Sequence, residues 1–370
     1  MSEHYFDNAA TTRVCQKAID AAVSVMQNMY GNPSSTHTKG REAKKLLDEC
    51  REAVAERLGC SPNEVYFTSC GSESDNWAIL CGADSKKHFG KHIISSMAEH
   101  DAVRKSLDVL EKQGYEITRL KPDKTGKINI DDVLDALRED TILVSLMLVN
   151  NETGAVNDIA GISKAIRDKD SKALIHTDAV QGFMKIPFTA RELGVDLISI
   201  SGHKVHAVKG VGALYIKNGV KLKPYISGGA QESGLRAGTE AMPQIASFAA
   251  ACKEEPCILQ MAEMKACLKE RLINAIPELQ YIESEAPHIL NISMPGWRSE
   301  VIMTLLESKG VYVSKSSACK QGKRSHVLEA MGLNPKYIDG ALRIGISRFT
   351  TDDDLELLVQ GLKEARALAH

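Results

Sequence analysis

The sequence predicts an α/β protein. A large domain on a mostly parallel, doubly wound sheet is expected over residues 13–250, with a smaller α+β domain from residues 1–12 and 251–370. Three observations carry this. Short apolar runs alternate with amphipathic segments through the first two-thirds of the chain, which is the rhythm of repeated strand–helix units. Polar residues gather just after the apolar runs, where such a sheet places its ligands. After residue 256 the rhythm changes to longer helices and strands in mixed order.

The elements follow in order. Residues 5–12, YFDNAATT, form a short extended arm. In 13–29, Ala18, Ala21, Ala22, Val25 and Met26 share one helical face. Residues 30–37 are a Gly-Asn-Pro-Ser loop, and 40–58 is an amphipathic helix that Ser or Thr of the loop can cap. A strand is expected at 64–68 and a helix at 75–83, with the small-residue turn 69–74 between them. A strand, such a turn and a helix N-terminus present free N–H groups to an anion, although ordinary turns look the same. A strand at 92–96 ends in Glu99-His100, and helix 103–112, strand 116–120 and helix 130–137 follow. The buried strand 142–149 ends in Asn150-Asn151-Glu152. Helix 159–168 leads to strand 173–177, which ends at Asp178. Strand 195–201 stops at Ser201-Gly202-His203-Lys204, and strand 211–216 follows a Gly-bracketed turn.

A lysine at the end of a buried strand is badly placed for a solvated charge. Burial favours the neutral amine, so Lys204 can act as a nucleophile towards a carbonyl, where the bland alternative is a basic turn. Each strand end offers one polar candidate: Ser72, His100, Asn151, Asp178 and Lys204. Singly, each reads as a cap or a satisfied polar group. Together their chemistries suit pyridoxal 5′-phosphate (PLP), which needs an anion site, a carboxylate at its ring nitrogen, a donor at its phenolic oxygen, a ring-face partner and a lysine. Gly71 and Ser72 suit the phosphate, Asp178 the ring nitrogen, Gln181 and Asn151 the oxygen, and His100 the ring face.

Residues 226–240 are Gly-rich, too long for a hairpin and too rich in Arg, Glu and Thr for a plain linker. Helices are expected at 243–256, 260–275, 300–309, 326–331 and from 352 onward, with strands at 288–294, 311–313 and 341–347. Cys319 stands in a small basic loop with Lys320, Lys323 and Arg324, and neighbouring cations favour the thiolate. Arg343 sits in a strand, where its charge needs a substrate carboxylate or an internal acid.

Net charge is −2, so no charge excess points to nucleic acid or an anionic membrane. The run 142–149 is far shorter than the ~20 residues a bilayer takes. The first residues hold no basic-plus-apolar signal, and a cytoplasmic protein is expected. Nine cysteines, without a CxxC pair, argue against a disulfide framework or a metal site and for a reducing compartment.

YFDNAATT, YGNPSSTH, FTSCGSESDN, EHDAV, VNNETGAV, HTDAVQ, SGHK, SGGAQESGLRAGTE, APHILNIS, SSAC and LRIGISRFT occur in that order. They resemble the motif series of PLP-dependent cysteine desulfurases of the NifS/IscS type, in the class V aminotransferase group of fold type I. The resemblance implies that Lys204 holds PLP as a Schiff base, His100 stacks on the ring and Asp178 pairs with the ring nitrogen. It implies Gln181 and Asn151 near the phenolic oxygen and substrate, and Gly71, Ser72, Ser201 and His203 at the phosphate. Thr239 of the partner subunit would complete that site, which implies a homodimer. Arg343 with Asn151 would bind the carboxylate of L-cysteine. Cys319 would take its sulfur as a persulfide and pass it to an acceptor in iron–sulfur cluster assembly or tRNA thiolation.

The chain departs from the series in places. The loop from Lys320 to Arg324 is short and basic, Ser233 stands where Arg is usual, and Ala230 where Gly is usual. The sequence closes at His370 without the extension by which some members dock a scaffold. A basic loop is expected to meet an acidic partner face or to lower the Cys319 pKa. The competing expectations are a selenocysteine lyase or a transaminase, which do not need Cys319, a desulfhydrase releasing sulfide, and a non-enzymatic scaffold. The last would be expected to have lost Lys204 or Asp178.

Overall fold

The computed structural model describes residues 3–316 and 324–367, so Cys319, Lys320 and Lys323 lie outside the described residues. The strands are β1 His4–Tyr5, β2 Val65–Thr68, β3 His92–Ser96, β4 Glu116–Leu120, β5 Thr141–Ser145, β6 Leu174–Asp178, β7 Leu197–Ser201, β8 Gly212–Ile216, β9 Gln280–Ile282, β10 Ile289–Ser293, β11 Val311–Tyr312, β12 Ser314–Lys315 and β13 Ala341–Gly345. A seven-stranded sheet has the order β2-β8-β7-β6-β5-β3-β4. From β7 to β4 neighbours run parallel, and β8 is antiparallel to both β2 and β7.

Successive residues of a strand point to opposite faces, and both faces of this sheet are apolar. Ile94, Val144, Ile175, Ile198 and Ala213 join one core with Ala18 and Val25 of helix α1 (Gln16–Asn28), with Leu47 and Val54 of helix α2 (Thr38–Leu58), and with Ile245 and Phe248. Their sequence neighbours Ile93, Leu143, Leu174, Leu197 and Leu214 join the other core with Trp77, Ile79, Val103 and Leu107. Each Val, Leu, Ile or Phe side chain among them, fully buried, stabilises by roughly 1.5–3 kcal/mol. This double covering leaves strand ends as the places where polar groups can be presented.

The second sheet, order β12-β13-β10-β9, is antiparallel. Leu290, Ile292, Leu342 and Ile344 pack under Leu268, Leu272, Leu306, Leu355, Leu358 and Leu362 of the helices around it. The N-terminal arm ties the two sheets together. β1 pairs in parallel with β11, and Gly345 N bonds Phe6 O at 2.6 Å. A Cβ at Gly345 would lie 2.7 Å from Ala9 N and 2.8 Å from Asn8 N, so only glycine allows this approach. Further on, Thr12 Oγ1 donates to His203 O at 2.9 Å and accepts from His206 N at 2.9 Å.

Several boundaries differ from the sequence expectation. The helix expected from residue 75 begins at Gly71 (α3, Gly71–Asn76) and continues through a π-helical stretch, Trp77–Cys81. Glu73 Oε2 reaches back to Ser69 N at 2.8 Å, a capping contact that sets the earlier start. β5 ends at Ser145 rather than at 149, because Met147 N turns to the Glu99 carboxylate and Asn157 Nδ2 takes Met147 O. β9 and two short capped helices, Ala190–Leu193 and Pro335–Asp339, carry too little periodicity to be read from sequence. The Gly-rich segment is tied down. Glu232 is buried, accepts from Arg51 Nη1 and Nη2 at 2.7 Å each, and accepts from Phe67 N at 2.9 Å. Glu232 and Ser233 hold left-handed backbone, φ 46° and 58°, a strained conformation that the Arg51 and Phe67 bonds fix in place.

Candidate active site

β6 and β7 are adjacent and parallel, so Asp178 and Ser201 end side by side. The turn Gly202–Lys204 follows β7 directly. Lys204 Nζ donates to Ala9 O and Ala10 O, both at 2.7 Å, so the arm closes over the lysine. Burial first, and then the Arg343 charge, pushes the Lys204 ammonium down to about 7. An appreciable fraction of its amine is therefore neutral at neutral pH.

The carboxyl end of the sheet also gathers acids. Asp178 is buried, with Oδ1 accepting from Val180 N at 2.9 Å. Burial raises its pKa and His100 opposes the rise. Asp75, on α3, is buried with Oδ1 3.7 Å from His176 Nε2 and without a hydrogen bond, and burial and the Asp178 charge push its pKa well up. Donor atoms of Asp75, His100 and Asp178 lie within 4.8 Å of one another. His100 Nδ1 accepts from Ala102 N at 3.2 Å, so the neutral ring carries its proton on Nε2. Behind them His176 bonds Ser145 Oγ at 2.8 Å and Ser199 Oγ at 3.0 Å, and burial pushes its pKa down to about 3.

Gly71 opens α3 against this edge. A Cβ there would stand 2.7 Å from Val180 Cγ2 and 3.4 Å from Ser201 Cβ, so the bare backbone allows the close approach. Ser201 Oγ is buried without a partner, and Ser72 is exposed. His203 Nδ1 meets Thr11 Oγ1 at 3.1 Å, and burial with the Lys204 charge pushes its pKa down to about 4. Gln181 Nε2 donates to Ala9 O at 2.8 Å, and its Oε1 meets His288 Nε2 at 3.2 Å.

Arg343 is buried, and its partners are internal. Nη1 donates to Asn151 O at 2.9 Å and Nη2 to Asp7 Oδ1 at 3.1 Å, leaving Nε buried without an acceptor. The structure therefore brings together Lys204, Asp178, His100, Gln181, Ser201, His203 and Gly71, and joins Asn151 to Arg343. Thr239 is exposed and forms no hydrogen bond among the described residues. Arg324 belongs to the expected basic loop, yet it pairs with Asp339 through two bonds of 2.6 and 2.8 Å. That contact spends one of the charges expected to face a partner.

Sequence reasoning missed Asp7, the Ala9 and Ala10 carbonyls, Asp75 and Glu99 as parts of this edge. Glu99 stood beside His100, which was the available signal. It is buried, accepts from Ser96 Oγ at 2.7 Å and Met147 N at 3.1 Å, and burial pushes its pKa up to about 8. A carboxyl whose folded pKa is raised stabilises fully below its unfolded pKa. That stability is lost as pH rises, here from about 4.5 through about 8. Glu99→Gln is therefore expected to gain on wild type by up to about 1.4 kcal/mol per pH unit in that window. Paired thermal melts between pH 6 and 9 check this, and a pH-independent difference would remove the assigned protonation.

The class-V aminotransferase family model matches residues 4–358. A cysteine desulfurase IscS of Dictyoglomus turgidum is 40% identical, over 98% of this chain and 94% of that protein. A cysteine desulfurase IscS of Methanosarcina thermophila is 37% identical, over 97% of this chain and 91% of that protein. Among solved structures, a NifS-like protein superposes with a TM-score of 0.92 at 34% identity, covering 99% of this chain and all of that one.

Proposed function

This chain belongs to the class-V aminotransferase family, whose cysteine desulfurase members depend on PLP, and on that premise we propose that it is a cysteine desulfurase. The reaction is L-cysteine plus the Cys319 thiol giving L-alanine plus a Cys319 persulfide. The carrying observation is Lys204, with its ammonium at about 7, at the end of the strand beside buried Asp178.

The residues present fit PLP. Ser201 Oγ is a buried hydroxyl without a hydrogen-bond partner, and the bare backbone of Gly71, at the N-terminus of α3, packs close beside it. Gly71, Ser72, Ser201 and His203 would hold that phosphate, with Thr239 of the partner subunit. Asp178 would hold the ring nitrogen, His100 would lie on the ring, and Gln181 and Asn151 would serve the phenolic oxygen. When bound, PLP supplies an aldehyde that captures an amine and a protonated ring that accepts electrons from the substrate Cα.

The chain's own groups do the rest. Neutral Lys204 is nucleophile first and proton carrier for Cα afterwards, and the Ala9 and Ala10 carbonyls aim it. Arg343 receives the substrate carboxylate, with Asp7 and the Asn151 carbonyl fixing its plane. Cys319 thiolate attacks the substrate sulfur, the Cβ–S bond breaks, and two protons return, one to Cβ and one to Cα, replacing those lost from the Cys319 thiol and from Cα, to leave alanine. We divide the chain into a large PLP-binding part, 13–250, and a small part, 1–12 with 251–370, that brings Arg343 and Cys319.

The protein is proposed to act as a homodimer in the cytoplasm, with an acceptor from iron–sulfur assembly or thiolation. Ile19, Val23, Met26 and Tyr30 are exposed on and just after α1 at 39, 39, 60 and 76%, an apolar stripe that a second copy would cover. Among the described residues no helix is long and apolar enough to cross a membrane.

The test is alanine formation from L-cysteine by PLP-loaded wild type and Cys319→Ala, with light scattering on the same preparation. Wild type is expected to form alanine at twice the chain mass, and the variant to keep its PLP and lose turnover. Normal turnover by the variant would make the protein a lyase or transaminase. A monomer mass would remove the dimer and the role given to Thr239.

A further inference from the structure

Two residues past Lys204 the backbone turns left-handed at His206, φ 70°. His206 lines a cavity of about 10 Å³ with Met184, Lys185, Cys257, Met261 and Arg348. That is the room of a single water-sized particle. The walls come from four separate places: the segment after β6, the segment after β7, the connection near Cys257, and the segment after β13.

Two residues around this mostly apolar cavity, Lys185 and Arg348, carry unmatched donors. Lys185 is 3% exposed and its ammonium has no hydrogen-bond partner among the described residues. Among the described residues no carboxylate acts on it. Burial and Arg348 disfavour its charge, only the Cys257 thiol opposes them, and its pKa is pushed down to about 8. Arg348 gives Nη1 to Glu254 at 3.3 Å and Nη2 to Glu255 O at 3.1 Å, but Nε is buried without an acceptor. Glu254 is already engaged by Lys17 at 2.5 Å. His206 donates Nδ1–H to Arg13 O at 2.8 Å and packs edge-on against Phe349 at 5.2 Å, so its ring is fixed. A buried ammonium without a counter-charge is costly, and so is a buried guanidinium N–H without an acceptor. An acceptor-only particle relieves both at once. A water can give one proton to His206 Nε2, the ring nitrogen that the Nδ1–H bond leaves as an acceptor, but its second proton would meet only Met184, Met261 and Cys257, whose sulfurs accept weakly.

We propose that this cavity is a binding site for one small monovalent anion, a halide such as chloride, held by Lys185 Nζ and Arg348 Nε. It is separate from the substrate carboxylate position at Arg343 and from the phosphate position at Gly71 and Ser201. Neither of those ligands would fit a space of this size. The anion clamps the segments that follow β6, β7 and β13, including the turn that carries Lys204, and so stabilises the seam between the two sheets. The site does not depend on which reaction the enzyme catalyses.

Two measurements on the PLP-loaded protein test this. Crystals grown in sodium bromide are expected to show an anomalous bromine peak between Lys185 and Arg348. The melting temperature at fixed ionic strength is expected to rise by several degrees when gluconate is replaced with chloride or bromide. In Lys185→Met that halide dependence is expected to vanish. If the variant does not fold, the bromide map of wild type decides alone. A water at the site, or the same melting temperature in gluconate and halide, would overturn the proposal.

Discussion

Lys204→Ala is expected to lower alanine formation by about 10³-fold or more, while the fold is kept. The side chain ends in two hydrogen bonds to carbonyls of the arm, with no internal carboxylate bonded to it. Removing it leaves Ala9 O and Ala10 O short of a donor, but Gln181 Nε2 also serves Ala9 O at 2.8 Å. Stability should therefore fall by only about 1–3 kcal/mol, which circular dichroism and thermal melts would report. A second readout separates chemistry from folding. After borohydride treatment, wild type should retain the mass of PLP on the peptide that carries Lys204, and the variant should not. Lys204→Arg preserves charge but remains protonated at every working pH, so it should be as inactive as the alanine variant. Turnover by Lys204→Arg at more than a few per cent of wild type would remove Lys204 as nucleophile and proton carrier.

The strand-end residues were legible because repeated strand–helix units put all their carboxyl ends on one edge. A polar residue following an apolar run is therefore already placed. Asp178 and Lys204 needed nothing beyond that rule, whereas Ser201 entered only through the family resemblance. The contacts of Lys204 with Ala9 and Ala10 were not legible, since backbone carbonyls from a distant arm leave no side-chain signal. Arg343 was seen to need an anion, but the choice between a substrate and an internal acid stayed open, and Asp7 occupies only part of its donor set. Asp75 looked like an ordinary first-turn residue. Its burial, and the start of α3 at Gly71, follow from the way that helix leans on Val180 and Ser201. Lys185 lay between the strand that ends at Asp178 and strand 195–201, in a stretch to which the sequence assigned no element. A lysine walled in by four distant segments cannot be told from a surface lysine without the tertiary fold.

Asp178→Asn is expected to separate function from stability. Three carboxyl groups, Asp75, Glu99 and Asp178, are buried at one edge of the sheet, and burial raises the pKa of each. The Asp178 charge adds to the rise at both Asp75 and Glu99. Without PLP, any of these groups that ionise together repel one another in a poorly solvated place, which is a cost the fold carries for its site as the pH rises. Asparagine keeps an oxygen for Val180 N and removes one charge. The PLP-free variant should therefore melt at or above wild type at pH 8, and the gain should shrink as the pH falls and wild-type Asp178 takes up its proton. Turnover should move the opposite way, falling by about 10²–10³-fold, because a neutral amide cannot hold a proton on the ring nitrogen. Rates and melts of the same preparations check both. Near-normal turnover would remove Asp178 from the ring nitrogen. A variant that loses activity and also melts well below wild type would instead make Asp178 a structural anchor, with its charge paired inside the folded chain.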